Sequence, residues 1–82
     1  MKARVHVFLK PQVLDPQGKA VMQALRTLGF SEVESVRQGK FFDIETSRLP
    51  EGERAAERVE AYCRKLLSNP VIEDFRVEVL EP

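Results

Sequence analysis

The residues that could do chemistry in this chain are few and scattered: one histidine, His6, one cysteine, Cys63, a glycine–lysine pair, Gly39 and Lys40, and the acids Glu51, Glu53, Glu57 and Glu60. Catalysis needs a base, acid, nucleophile or metal gathered by a scaffold. A metal site takes about three or four ligands, and His6 has neither a cysteine nor a second histidine near it in sequence. It reads as a packing or interface residue on a sheet face. Cys63 lies on an apolar helical stripe with no histidine beside it, where a thiol fills core and stays inert. Gly39 and Lys40 lack the further glycines and the following hydroxyl of a phosphate-binding loop. The run Gly39, Lys40, Phe41, Phe42, Asp43, Ile44 faintly resembles the aromatic strand of RNA-recognition domains. Asp43, Glu45 and a net charge of zero speak against base stacking. The acidic run reads as a solvated helix face on which Glu60 and Arg64 form a favourable four-residue pair. No catalytic, cofactor-binding or metal-binding residue is expected.

Thirteen Lys and Arg balance thirteen Asp and Glu, and the two signs are interleaved. That removes the electrostatic footprint needed for nucleic acid or an anionic membrane. A lone cysteine excludes an intrachain disulfide framework and fits a reducing cytosol. The longest apolar run is too short to cross a bilayer, and Met1, Lys2, Ala3, Arg4 lead directly into strand-like alternation without a signal-peptide core. A cytoplasmic protein is expected. Residues 1–82 make one domain, and a chain of this size buries roughly 60–65% of its unfolded surface, so its stability is marginal.

The elements that must position these residues follow from periodicity. Ala3, Val5, Val7 and Leu9 alternate with Arg4, His6 and Phe8 as a half-buried strand. Asp15 is a good helix N-cap and Pro16 suits the first helical position, where no N–H is needed. Val21, Met22, Leu25 and Leu28 recur at helical spacing, and Gly29 is placed for a left-handed cap, so the first helix spans about Pro16 to Leu28. From Ser31 to Ser47 the chain is extended, either as a hairpin turning at Gln38 and Gly39 or as one long strand kinked at Gly39. After Leu49 and Pro50, the stripe Ala55, Val59, Tyr62, Leu66 with Ala56, Cys63, Leu67 predicts a second helix that Asn69 and Pro70 end. Its acids Glu51, Glu53 and Glu57 lie early and Arg64 and Lys65 late, as the helix dipole favours. Phe75, Val77 and Val79 alternate with Arg76, Glu78 and Leu80 as the last strand. The order β-α-β-α-β predicts an α+β, ferredoxin-like plan with two helices on one face of an antiparallel sheet.

Several motifs also carry a family likeness. Val13 to Gly18 with Lys19 and Ala20, then Leu28 and Gly29, then Val36 to Lys40, in this order and spacing, resemble the PurS family, the small subunits of phosphoribosylformylglycinamidine synthase. The resemblance spans nearly the whole chain and implies a PurS-like fold. It also implies a place in purine biosynthesis, in a complex that uses ATP, Mg and glutamine to convert formylglycinamide ribonucleotide to formylglycinamidine ribonucleotide. The large synthase subunit (PurL) and the glutaminase subunit (PurQ) would be the partners. The small subunit would bind no cofactor, bridge the two and help keep ammonia from solvent. Asp15, Pro16, Gln17, Gly18, Arg37, Gln38, Gly39 and Lys40 are the candidate partner contacts.

Phe8 and Leu80 sit at the polar parity of their strands, and one of Phe41 and Phe42 must point away from the helices. Several apolar residues on one open sheet face suggest a contact surface. Phe8, Phe41, Phe42 and Leu80 are therefore oligomer-interface candidates, and a homodimer or higher state is expected. Two other classes compete: a ferredoxin-like regulatory domain with a small metabolite at a dimer interface, which ligand-dependent melting would reveal, and an autonomous enzyme using His6 or Lys40, which loss of turnover in His6→Ala would reveal.

Overall fold

The computed structural model describes residues 1–49 and 52–81. Pro50 of the expected turn, Glu51 of the expected acidic helix start and the terminal Pro82 lie outside the described residues. Three antiparallel strands form one sheet in the order β2-β1-β3, with β1 (Lys2–Leu9) central, β2 (Lys40–Glu45) on one edge and β3 (Glu73–Glu81) on the other. The alternation of β1 decides its faces. Ala3, Val5 and Val7 are at most 1% exposed, and they stand opposite Ile44, Phe42 and Lys40 of β2 and Val79, Val77 and Phe75 of β3.

That face is covered by α2 (Ala55–Tyr62), which starts after Arg54 without a side-chain cap and continues into a widened π turn over Cys63–Leu67. Val59 and Cys63 complete the buried core, and Tyr62, Leu67, Phe42, Ile44, Phe75 and Val77 pack around it. A π turn advances fewer degrees per residue than an α turn. It carries Leu67 toward the stripe and rotates Leu66 off it, which is why Leu66, expected in the stripe, is 84% exposed. Phe42, expected among the interface candidates, belongs to this core, and Phe41 is the ring that faces outward.

The first helix, α1 (Pro16–Thr27), begins and ends as its sequence directs. Asp15 caps it through Gly18 N–H, and Pro16 opens it. Gly29, at φ +106°, ends it. There Gly29 N–H donates to Arg26 O at 3.0 Å and Phe30 N–H to Leu25 O at 3.1 Å, the paired bonds of a Schellman motif.

The expected α+β architecture is present, but within one chain only α2 lies on the sheet. No residue of α1 belongs to the core or packs against it, and Val21, Leu28 and Phe30 are exposed. The reason is the middle segment. There is no turn at Gln38 and Gly39, and among the described glycines only Gly29 and Gly52 have positive φ. The hairpin alternative therefore falls. The long middle strand is realised only in part, because residues 31–39 carry no strand pairing within the chain and pairing starts at Lys40. Residues 31–39 return beside α1, from Gly29 at its end to Gly18 at its start, before entering the sheet. Helix and return segment thus form an arm that stands off the sheet. The radius of gyration is 16.4 Å and the extents are 54 × 25 × 14 Å, whereas a compact chain of this length has a radius near 12 Å.

An arm with an uncovered apolar stripe needs another surface to bury it. The chain is expected to be at least a dimer at micromolar concentration, as measured by sedimentation equilibrium. A single species at the monomer mass of 9.4 kDa would refute this.

Candidate functional site

The two sequence motifs 13–18 and 36–40 meet where the arm joins the sheet. Asp15, only 6% exposed, uses both carboxylate oxygens there. Oδ1 accepts from Gly18 N–H at 2.8 Å and Oδ2 from Gln38 N–H at 2.6 Å. One side chain therefore caps α1 and holds the end of the return segment. Gln38 Nε2 adds a bond to Gln17 Oε1 at 2.9 Å. On the other side, Arg37 Nη2 donates to Lys10 O at 3.0 Å and Val13 O at 2.9 Å, fastening the loop that leads from β1 to the helix.

Two glycines let these segments close up. A Cβ on Gly18 would collide with the Val36 carbonyl, and one on Gly39 would sit 2.8 Å from the Val7 carbonyl. Gly39 serves close approach and not a left-handed turn. Of the eight expected partner contacts, Asp15, Gly18, Arg37 and Gly39 are thus committed to the elbow itself. Pro16, Gln17, Gln38 and Lys40 line its exposed outer surface. Lys40 Nζ lies 3.8 Å from Glu73 Oε2. The role of Arg37 carried no sequence signal, because main-chain carbonyl acceptors exist at every position.

The open sheet face is more polar than its phenylalanines suggested. Arg4 Nε and Nη2 reach Asp43 at 2.7 and 3.2 Å, a bidentate pair, and the guanidinium lies 4.9 Å from the Phe41 ring centroid. The hydrogen bonds from Arg4 hold the Asp43 carboxyl below its usual value and raise Arg4 in return. Lys2 pairs with Glu45 at 3.6 Å, and His6 Nε2 lies 3.4 Å from Glu78 Oε1. Phe8, Phe41 and Leu80 project between these pairs, Leu80 beside a register shift at Lys2 and Ala3. Cys63 is buried, and desolvation, followed by the nearby Glu60, pushes its thiol up, away from nucleophilic use. Among the described residues no group of three His, Cys, Asp or Glu is arranged to hold a metal, and no helix is long and apolar enough to cross a membrane.

The Asp15 carboxyl is held below the ordinary carboxylate value, first by the Gln38 N–H, then by the Gly18 N–H, with Arg37 and the Gln17 N–H adding to it against the opposing effect of burial. Its stabilisation is therefore complete above the unfolded value of about 3.9 and is lost as pH falls through the lower native value. Asp15→Asn keeps one acceptor oxygen but offers an N–H₂ to the other donor. The variant should melt about 5 °C or more below wild type at neutral pH, with Asp15→Ala lower still. The gap should narrow as pH falls below about 4. Thermal melts at several pH values check this, and a gap that widened in acid would refute the bridge.

Comparison with known proteins agrees with this geometry. The family model described as PurS, phosphoribosylformylglycinamidine (FGAM) synthase, matches residues 2–81. The phosphoribosylformylglycinamidine synthase subunit PurS of Bacillus subtilis is 44% identical, covering 98% of this chain and 93% of the relative. That of Methanocaldococcus jannaschii is 43% identical over 95% of this chain and 93% of the relative. The structure of B. subtilis PurS superposes with a TM-score of 0.85 at 44% identity, covering 98% of both chains. A chain in the structure of PurLQS from Thermotoga maritima superposes with a TM-score of 0.82 at 33% identity, covering 96% of this chain and 95% of that one. With the family model matched over residues 2–81 and relatives more than 40% identical along nearly the whole chain, the chain belongs to the PurS family of phosphoribosylformylglycinamidine synthase.

Proposed function

We propose that the chain is the small, non-catalytic subunit of a cytoplasmic phosphoribosylformylglycinamidine synthase, a ligase complex of purine biosynthesis. The large synthase subunit would bind ATP and Mg, and the glutaminase subunit would release ammonia from glutamine. This chain would bridge the two and help keep the ammonia from water while formylglycinamide ribonucleotide becomes formylglycinamidine ribonucleotide. Positioning of this kind is a chemical contribution, because ammonia stays neutral and nucleophilic only where acid and water are excluded. The observation that carries this reading is the full-length match to a chain of the T. maritima PurLQS structure. The placement of His6 against Glu78, and of Cys63 in the core, is consistent with a scaffold in which neither side chain does chemistry.

Self-association belongs to the same reading. β2 is an edge strand, and the main-chain groups of such an edge are ready to pair with another chain. The unpaired residues 31–39 of a second copy would supply the fourth strand, and the attached α1 would lay its Val21, Met22, Leu25 and Leu28 stripe on the face beside α2. Exchange about a two-fold axis closes the pair. The metabolite-binding alternative is not favoured, because the relatives that match along the whole chain are synthase subunits.

The isolated chain should turn over neither glutamine nor ATP above background, and adding the synthase and glutaminase subunits should give glutamine-dependent synthesis. Coupled assays of ADP and glutamate release check this. Turnover by the purified chain alone would overturn the non-catalytic assignment.

A further inference from the structure

On the open sheet face, the Arg76 guanidinium has no ion-pair partner among the described residues. Arg4 pairs across strands with Asp43 and Lys2 with Glu45 and Glu81, His6 Nε2 lies 3.4 Å from Glu78 Oε1, and Lys10, just past β1, reaches Asp74 at 2.6 Å. Arg76 stands on β3 between Asp74 and Glu78, both already engaged, and forms no ion pair with any described residue. It lines a hollow of about 340 Å³ with His6, Val7, Phe8, Gly39, Lys40 and Phe41, and the Lys40 Nζ lies 3.8 Å from Glu73 Oε2. Gly39 has the same parity as Phe41. Its missing side chain leaves the floor open, since a Cβ there would lie 3.4 Å from Phe8 Cβ. A second hollow of about 420 Å³ shares Phe8 and Gly39 and adds Pro11 and Arg37. Phe8 is 41% and Phe41 58% exposed, so their rings are walls without a cover.

We propose that this hollow is the socket for one glutamate or aspartate side chain of a partner subunit of the synthase, its methylene stem between Phe8 and Phe41 and its carboxylate on Arg76. The socket deepens the assembly reading and depends on it. Guanidinium and carboxylate match as a planar fork, and an aromatic-walled pocket with an arginine is the kind of anchor that carries binding energy. In the arm exchange proposed above, a second copy covers the β2 edge and the α2 face, so the occupant assigned to this side is a partner subunit.

The test measures binding of the full-length wild-type dimer, and of Arg76→Glu, Arg76→Gln and Phe8→Ala, to purified synthase and glutaminase subunits by biolayer interferometry. Melting curves and sedimentation mass are recorded for each. Arg76→Gln should weaken binding to one subunit about tenfold and Arg76→Glu more, with melting within about 2 °C of wild type and the dimer mass unchanged. Wild-type binding should weaken with added chloride. Equal affinity of wild type and the Arg76 variants would overturn the socket while leaving the assembly reading standing. A change in the mass of the free protein would assign the socket to a second copy and overturn it. Inorganic phosphate displacing the partner beyond chloride of equal ionic strength would also overturn it, in favour of a phosphate site. Wild type binding neither subunit would overturn the assembly reading, and the socket with it.

Discussion

The bridge made by the Asp15 carboxylate is the constraint on which the arm depends. Its two oxygens hold the first turn of α1 and the main chain of Gln38, so the residues that leave the sheet and the residues that return to it are tied at one point. A carboxylate that accepts two backbone N–H groups is a strong acceptor, and it satisfies donors that would otherwise be stranded at a helix start. The space around it admits no side chain at position 18. Arg37 closes the other half of the joint by holding two loop carbonyls. Helix, return segment and strand ends therefore form one elbow.

That elbow explains the unusual economy of the fold. A domain of 82 residues has little apolar surface to share, and this chain concentrates its core on Ala3, Val5, Val7, Val59 and Cys63 beneath a single helix. The apolar stripe of α1 is held away from that core. A small domain that withholds a helix from its own core gains stability if the stripe is buried in an assembly, and in the exchange proposed above stability and assembly are linked.

The sheet divides these tasks by face. On the α2 side, cross-strand neighbours are apolar apart from Lys40 opposite Val7, and on the other side they include ion pairs such as Arg4 with Asp43, solvated and individually weak. Such a ladder keeps an exposed face from sticking indiscriminately and leaves specificity to the few positions where pairing is incomplete. Arg76, across His6 from Phe41, is one of these among the described residues.

Much of this was written locally. The alternation of Ala3 to Leu9, the Asp15–Pro16 helix start and the Gly29 stop each rest on neighbours within a few residues, and each element formed where those patterns placed it. The order of motifs also made the family legible. Periodicity could not tell whether the segment around Gly39 turns or continues, because a glycine permits both and the outcome is set by the Val7 carbonyl and the Asp15 carboxylate, which are distant in sequence. It could not choose between the adjacent Phe41 and Phe42 either, since strand register against Val5 and His6 decides which ring enters the core. Nor could it show that Arg37 bonds to loop carbonyls and that Arg76 forms no ion pair among the described residues, because both depend on which segments the elbow and the sheet bring together. Sequence alone determined the elements and the family, through local chemistry; the elbow, the free-standing arm and the uneven faces were decided by tertiary contacts between residues far apart in the chain.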